Sequence, residues 1–269
     1  DLPRGASGHR VHPGGGLVEE DELGATDEGD GEGEPLLLAT GEFPLEICRE
    51  AFRQGFMNPH IPAEYGGSPH RVLDHCLTLE ERCTGCSGIA TAIDANGLSQ
   101  YPVILAGNDD QKRRFLAPMT EELMFSAYAV TEPEAGSDAG ATKTRAILDG
   151  DCYIINGTKT WTTHGTYAKY MILLARSIPD ARNKYAGLSF FLAPMKVPGV
   201  ETFPIRKLTG EYGFSETFFT DARIPADCLM GEEGQGWTVA MRTASVPLAS
   251  AVSSYGSRRA RNSWLASRV

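Results

Sequence analysis

The sequence has 269 residues and a formal net charge of −10, of which residues 1–34 carry −8 through ten Asp or Glu against Arg4 and Arg10. A hydrophobic content of 41% supports a packed core, the length admits one large or two ordinary domains, and the near-neutral body has no basic stripe suited to nucleic acid. No apolar run nears the roughly 20 residues of a bilayer span, and the acidic start DLPRGASGHR shows neither a signal core nor a transit-peptide composition.

Residues 1–34 hold too few apolar groups to offset the entropy of ordering, so they read as a disordered extension, either inert or an acidic interaction tail. From Pro44, FPLEICREAFRQGF sets Leu45, Cys48, Phe52 and Phe56 at helical spacing. IPAEYGGSP is a loop. Residues 70–86 and 88–107 predict two helices, the second apolar enough to be buried on most sides. Asn108, Asp109 and Asp110 make a turn and cap before a short helix in QKRRFLAPMT. After about residue 125 the pattern turns to strands. Asp149-Gly150 and Asn156-Gly157 read as hairpin dipeptides beside TRAIL, CYIIN and TKTWTT. MILLAR, LSFFLAP, VETFPI and SETFFTDARI follow, and the regular turns predict a compact antiparallel barrel or sandwich. From Gly236 the pattern is helical again, with Pro247 interrupting it.

The fold class is therefore multi-domain α and β. An extension at 1–34 precedes an N-terminal helical domain at 35–124, a β-barrel or sandwich domain at 125–235, and the start of a C-terminal helical domain at 236–269. Six cysteines in a chain of this length do not suggest a disulfide framework. Cys83 and Cys86 form a C-x-x-C with no second pair or His at ligand spacing, so the cysteines read as buried free thiols in a reducing compartment, and no metal site is expected.

Two segments carry chemistry. In AYAVTEPEAGSDAGA, residues 127–141, a strand ends in a turn where Gly136 permits close backbone approach and Ser137 offers a hydroxyl. Successive N–H groups there suit an anion such as a pyrophosphate; the G-x-G-x-x-G fingerprint is absent, and an ordinary Gly-rich turn remains the alternative. In NGTKTWTTHG, residues 156–165, period two puts Trp161 and Thr163 on one strand face. A flat aromatic beside a hydroxyl suits a flavin ring; a core cross-strand Trp is the alternative.

Together, Y-x-V-T-E-P-x-A-G-S-D and the later W-x-T-x-G closely resemble the acyl-CoA dehydrogenase family. FMNPHIPAEYGG and TAIDANGLSQYPVILAGNDDQKRRFLAPMTEE resemble its medium-chain branch. GLSFFLAPMKVPGV, IRKLTGEYGFSET and DARIPADCLMGEEGQGW extend the likeness over about residues 36–241. The resemblance implies FAD, with the strand at Tyr128 against the isoalloxazine ring. Main chain at Val130 and Thr131, and the Thr131 hydroxyl, would meet its pyrimidine end. Gly136 and Ser137 would lie at the pyrophosphate, with Ser137 also shaping the acyl-CoA channel; Trp161 would shield one flavin face, and Thr163 would bond near N5. Donors at N1 and N5 would stabilise charge as the flavin is reduced.

The implied reaction is α,β-dehydrogenation of an acyl-CoA thioester, a step of fatty-acid β-oxidation, with electrons passed to an electron-transferring flavoprotein. A homotetrameric or other homo-oligomeric assembly is implied too, in a mitochondrial matrix or bacterial cytoplasm. In the family the catalytic Glu lies in a C-terminal four-helix domain; residues 243–250, TASVPLAS, hold no acid, and the usual arginine falls near Leu248. The base is thus expected outside this sequence, the family's first helix is replaced by the glycine-rich extension, and this chain alone is expected to retain flavin weakly or not at all, with apolar surface exposed around residues 88–107. An acyl-CoA oxidase-like flavoprotein and a catalytically dead paralogue that only binds a partner are the alternatives. His164 stands where the family commonly has Asn; it reads either as a group titrating near neutral pH beside the flavin or as a tolerated polar exchange.

Overall fold

The computed structural model describes residues 43–68, 72–179, 181–208, 210 and 212–243. The expectations for residues 1–34 and for the segment after 243 lie outside them. Six helices come first: α1 (Leu45–Arg53), α2 (Val72–Gly85), α3 (Ser87–Asp94), α4 (Gly97–Ala106), α5 (Asp109–Leu116) and α6 (Pro118–Glu121). Eight strands follow: β1 (Phe125–Ala129), β2 (Arg145–Asp149), β3 (Cys152–Thr163), β4 (Ala168–Arg176), β5 (Leu188–Pro194), β6 (Val200–Arg206), β7 (Tyr212–Pro225) and β8 (Leu229–Met230). Residues 236–243 are helical. No described helix is long and apolar enough to cross a membrane.

The strands form one sheet in the order β6-β7-β3-β1-β4-β5-β8, with β2 between β3 and β4 at the far end of β1. Most neighbours are antiparallel, but β1 runs parallel to β4 from Phe125↔Ala168 to Ala129↔Leu173, a departure from the all-antiparallel expectation. The cause is connectivity: β1 enters from the helices, and β3 turns back beside it before β4 returns on its other side.

The runs MILLAR and LSFFLAP lack polar alternation because both of their faces are covered. Met171, Leu173 and Ala175 of β4, with Phe191 and Ala193 of β5, join Ala127, Ala129, Tyr153, Ile155, Phe219 and Ile224 in the core of the β-domain. The alternate residues Ile172, Leu174, Leu188, Phe190 and Leu192 face the helices and pack with Val103, Phe115, Leu116 and Met119. One strand pair thus belongs to two cores. Gln111 reinforces the joint. It completes a capping box with Asn108 at the start of α5, and its Nε2 donates to the carbonyls of Asp227 at 2.7 Å and Leu229 at 2.8 Å.

Two sequence expectations change. The helix expected over 88–107 is broken between α3 and α4, at Asn96. Its side chain, 1% exposed, is needed elsewhere: Nδ2 donates to Asn58 Oδ1 at 3.1 Å and the Met124 carbonyl at 2.9 Å, while Oδ1 accepts from Ser126 N–H at 3.1 Å. Gln100 Nε2 adds a bond to Asn58 Oδ1 at 2.7 Å. This polar knot holds the start of β1 against the helices. Most of the apolar segment is buried, Ile93 and Val103 included, and Leu105 is its exposed large side chain. Second, Asn156-Gly157 is not a hairpin. It lies inside β3 at a register shift, where Asn156 exchanges bonds of 2.9 Å with Asp221 Oδ1 and Asp221 N–H on β7. Gly157 is required there: its φ is +150°, and a Cβ would sit 2.5 Å from Thr144 Oγ1. Asp149-Gly150 does turn β2 into β3.

Replacing Asn96 by Ala strands the Met124 carbonyl and the Ser126 N–H, while Asn58 Oδ1 keeps Gln100, and is expected to lower stability by about 2–4 kcal/mol, since each buried group left unpaired costs about 1–3 kcal/mol. Leu105→Ser, at an exposed site, should stay within about 0.5 kcal/mol of the parent. Urea denaturation of both variants measures this.

Candidate functional site

The two singled-out segments meet at the end of β1, where Tyr128 sits opposite Thr163 of β3. Beyond β1 the chain is held by an ion pair that the sequence did not disclose. Lys159 is 0% exposed and Glu132 6%, and Lys159 Nζ lies 2.7 Å from Glu132 Oε1. Lys159 also donates to the Val130 carbonyl at 2.9 Å. Glu132 accepts the N–H groups of Lys143 at 2.7 Å and Thr144 at 3.0 Å. Burial pulls the Lys159 ammonium down to about 8, against the pull of Glu132. Burial likewise pushes Glu132 up, but Lys159 and the hydrogen bonds from Thr144 and Lys143 outweigh it and hold the carboxyl low. The pairing of Lys159 with a residue 27 positions earlier leaves no local signal in the sequence.

On its other side the loop is tied by Arg176, which donates to the carbonyls of Gly140 at 3.0 Å and Thr142 at 3.2 Å. Lys184 clasps both Asp138 oxygens at 2.8 Å. Between these anchors Gly136 and Ser137 are exposed. A Cβ on Gly136 would meet nothing within 4 Å, and its φ lies outside the left-handed region. Neither backbone conformation nor internal packing demands glycine there.

β3 is irregular where it passes this loop. Its register with β7 shifts between Lys159 and Thr162, and Trp161 takes φ +56°. Strict period two therefore fails before Trp161. From there Trp161 is exposed, Thr162 buried and Thr163 half-buried. Trp161 is 54% exposed, with only an edge contact to Phe214 at 6.0 Å between centroids among its ring contacts. It is not a core cross-strand tryptophan. The carbonyls of Val130 and Thr131 are engaged, by Lys159 and by the Thr160 N–H at 2.9 Å. Among the described residues the hydroxyls of Thr131, Ser137 and Thr163 make no hydrogen bond. Tyr128 is half-buried, and burial raises its phenol to about 12.

His164 does not titrate near neutral pH. It is 4% exposed, its ring lies edge-on to Phe43 at 5.4 Å and Phe125 at 5.1 Å, and its Nδ1 has no partner. Burial lowers its pKa to about 4. Its φ of +59° is one that Asn accepts more readily than most residues. The cysteine expectation is also corrected: Cys48, Cys76 and Cys228 are buried, but Cys83 is half-buried and Cys86 exposed, at the junction of α2 and α3.

Residues 34–122 match the sequence profile of "Acyl-CoA dehydrogenase, N-terminal domain" and residues 127–222 that of "Acyl-CoA dehydrogenase, middle domain". The chain is similar to a probable medium-chain specific acyl-CoA dehydrogenase 2, mitochondrial, of Caenorhabditis briggsae, at 39% identity over 207 residues, 75% of this chain and 50% of that one. It is also similar to the structures of a probable acyl-CoA dehydrogenase from Mycobacterium abscessus (TM-score 0.73, 30% identity, 80% of this chain and 58% of that one) and of butyryl-CoA dehydrogenase from Megasphaera elsdenii (TM-score 0.72, 27% identity, 80% and 58%). The chain spans about half the length of the curated relatives it matches.

Removing one member of the buried pair, by Lys159→Met or Glu132→Gln, should cost about 3–5 kcal/mol, because the other is left buried without compensation. The double variant should recover part of that loss in a denaturation cycle. His164 adds a pH dependence. Its folded pKa lies below its ordinary 6.5, so its contribution is full above pH 6.5 and is lost as pH falls toward 4. The loss amounts to about 3 kcal/mol. His164→Asn should flatten the stability profile between those two pH values, whatever it does to absolute stability.

Proposed function

The chain belongs to the acyl-CoA dehydrogenase family, and on that premise we propose that it supplies the flavin-facing wall of an FAD-dependent α,β-dehydrogenation of acyl-CoA thioesters, with residues 35–124 as its helical and 125–235 as its flavin-facing domain. The observation that carries the reading is the open side of residues 128–165. An exposed indole at Trp161 lies near the half-buried Thr163 on β3, and the hydroxyls of Thr131, Ser137 and Thr163 are left without internal partners. The Gly136 position, which nothing among the described residues fills, fits the approach of a bulky anionic group to the backbone.

In this reading Thr131 donates through its hydroxyl and N–H to the pyrimidine end of the ring. Ser137 and the N–H groups beside it hold the pyrophosphate, and Ser137 also borders the acyl-CoA channel. Trp161 covers one ring face and keeps water from it, while Thr163 donates near N5. Tyr128 backs the strand that carries these groups. FAD, when bound, supplies the acceptor for the hydride leaving the acyl β-carbon. The chain's part is to orient that acceptor and to place donors where negative charge grows, which lowers the barrier electrostatically. Neither local carboxylate is proposed as the base for the α-proton. Glu132 is held ionised by Lys159, a poor state for taking a proton, and Glu134 is exposed and paired with Lys143. An electron-transferring flavoprotein as the next electron acceptor, and a homo-oligomeric assembly, complete the proposal.

FAD added to the purified chain should bind, read as a rise in flavin fluorescence anisotropy. Trp161→Ala and Ser137→Ala should each weaken binding about tenfold, or about 1.4 kcal/mol, and Trp161→Phe should weaken it less. No binding, or equal binding by all variants, would remove the reading. Flavin that binds but is not bleached by octanoyl-CoA would point to a non-catalytic relative, and oxygen consumption without another acceptor to an oxidase.

A further inference from the structure

A second cluster, in the helical part, has no place in the flavin reading. His60 lies in the loop before α2, His75 on α2 and Asp94 at the end of α3. One ligand atom from each lies within 4.8 Å of the other two. We propose that His60, His75 and Asp94 bind a divalent transition-metal ion of the zinc class, which ties this loop to the two helices.

Geometry is the first argument. Zinc–nitrogen and zinc–oxygen bonds of about 2.0–2.2 Å put neighbouring ligands of a tetrahedral site about 3.4 Å apart. His75 Nε2 and Asp94 Oδ1 are already 3.5 Å apart. That spacing is long for a hydrogen bond and right for two ligands of one ion. The remaining edges need to close by little more than an ångström, within the reach of side-chain rotation.

Unsatisfied polarity is the second. Asp94 Oδ1 is buried and accepts no hydrogen bond, a state that costs free energy unless something compensates it. His75 beside it is 5% exposed. The Tyr101 hydroxyl lies 2.9 Å from His60 Nδ1 and 3.3 Å from Nε2. A group that orients a ligating imidazole through its other nitrogen is usual around metal sites. The rings of His60 and His75 meet edge to face with centroids 4.5 Å apart, and one nitrogen of each lies within 4.8 Å of the other. Arg82, whose charge burial disfavours and Asp94 favours, is the competing cation.

Donor chemistry selects the ion. Two imidazoles and one carboxylate suit zinc, cobalt or nickel, whereas magnesium and calcium require mostly oxygen ligands. Three protein ligands leave a fourth position for water. The three positions are separated by 15 and 19 residues and come from three elements, which is why no ligand spacing is visible in the sequence.

Cobalt(II) titration of the chelator-stripped full chain tests this. One equivalent should bind with the visible ligand-field bands of a nitrogen- and oxygen-ligated ion and without sulfur-to-cobalt charge transfer, and zinc should displace it. Loss of a ligand in His75→Gln or Asp94→Asn should weaken binding by more than about tenfold, as should loss of the orienting hydroxyl in Tyr101→Phe. The half-buried His60→Gln serves if a variant at a more buried position unfolds, as judged by circular dichroism. Cys83→Ser/Cys86→Ser should bind cobalt as the parent does. Absence of binding, binding unchanged in His60→Gln and Asp94→Asn, or a sulfur charge-transfer band lost with the cysteines would each overturn the proposal.

Discussion

The ion pair between Lys159 and Glu132 is the constraint on which the rest of the site depends. Two charges out of reach of water are expensive to keep, and their attraction alone does not repay the desolvation. Here the shortfall is met by hydrogen bonds. Glu132 accepts from Lys159, Lys143 and Thr144, and Lys159 donates to Glu132 and to the Val130 carbonyl. Each of these bonds joins a different stretch of chain. The exit of β1, the approach to β2 and the middle of β3 are fixed to one another by a single buried charge on each side. A hydrophobic pair of equal volume could fill the same space but could not specify which backbone groups meet.

Fixing these strands leaves β3 no regular path. Its register slips past Lys159, and both Trp161 and His164 adopt a left-handed backbone that L residues disfavour. Such strain persists only where the surroundings over-determine it. At Trp161 the surroundings are the buried pair on one side and Thr162 on the other, whose carbonyl accepts from Ser215 at 3.1 Å. At His164 they are the rings of Phe43 and Phe125. Gly165 completes the corner, since a Cβ there would lie 2.0 Å from Ser215 Oγ. The result is an indole lifted out of the sheet rather than packed into it.

Much of the architecture is legible in the sequence because it rests on local signals. The capping residues at Asn108, the helical spacing after Pro44 and the turn at Asp149-Gly150 state their structures within a few residues. The apolar runs of β4 and β5 announce burial but not that it is two-sided; that depends on helices almost 60 residues earlier in the chain. Asn156-Gly157 misleads for the same reason. Its turn chemistry is real, but it serves a bulge because Asn156 finds Asp221 on β7. The residues proposed to face a flavin are legible as a motif, whereas the charges beneath them are not. Lys159 reads as a surface residue until its partner is known.

The buried and open sides of residues 128–165 divide the chemistry between them. On the buried side Glu132 is paired with Lys159, and Arg176 holds the carbonyls of Gly140 and Thr142; at the exposed rim Asp138 pairs with Lys184 and Glu134 with Lys143. Beside these ion pairs the open side presents neutral hydroxyls, an indole and the bare backbone at Gly136. A surface of that kind suits the flat, acceptor-rich ring proposed for it and does little to a proton. The part proposed for the chain is therefore orientation and charge stabilisation, with no carboxylate of this segment acting as a base.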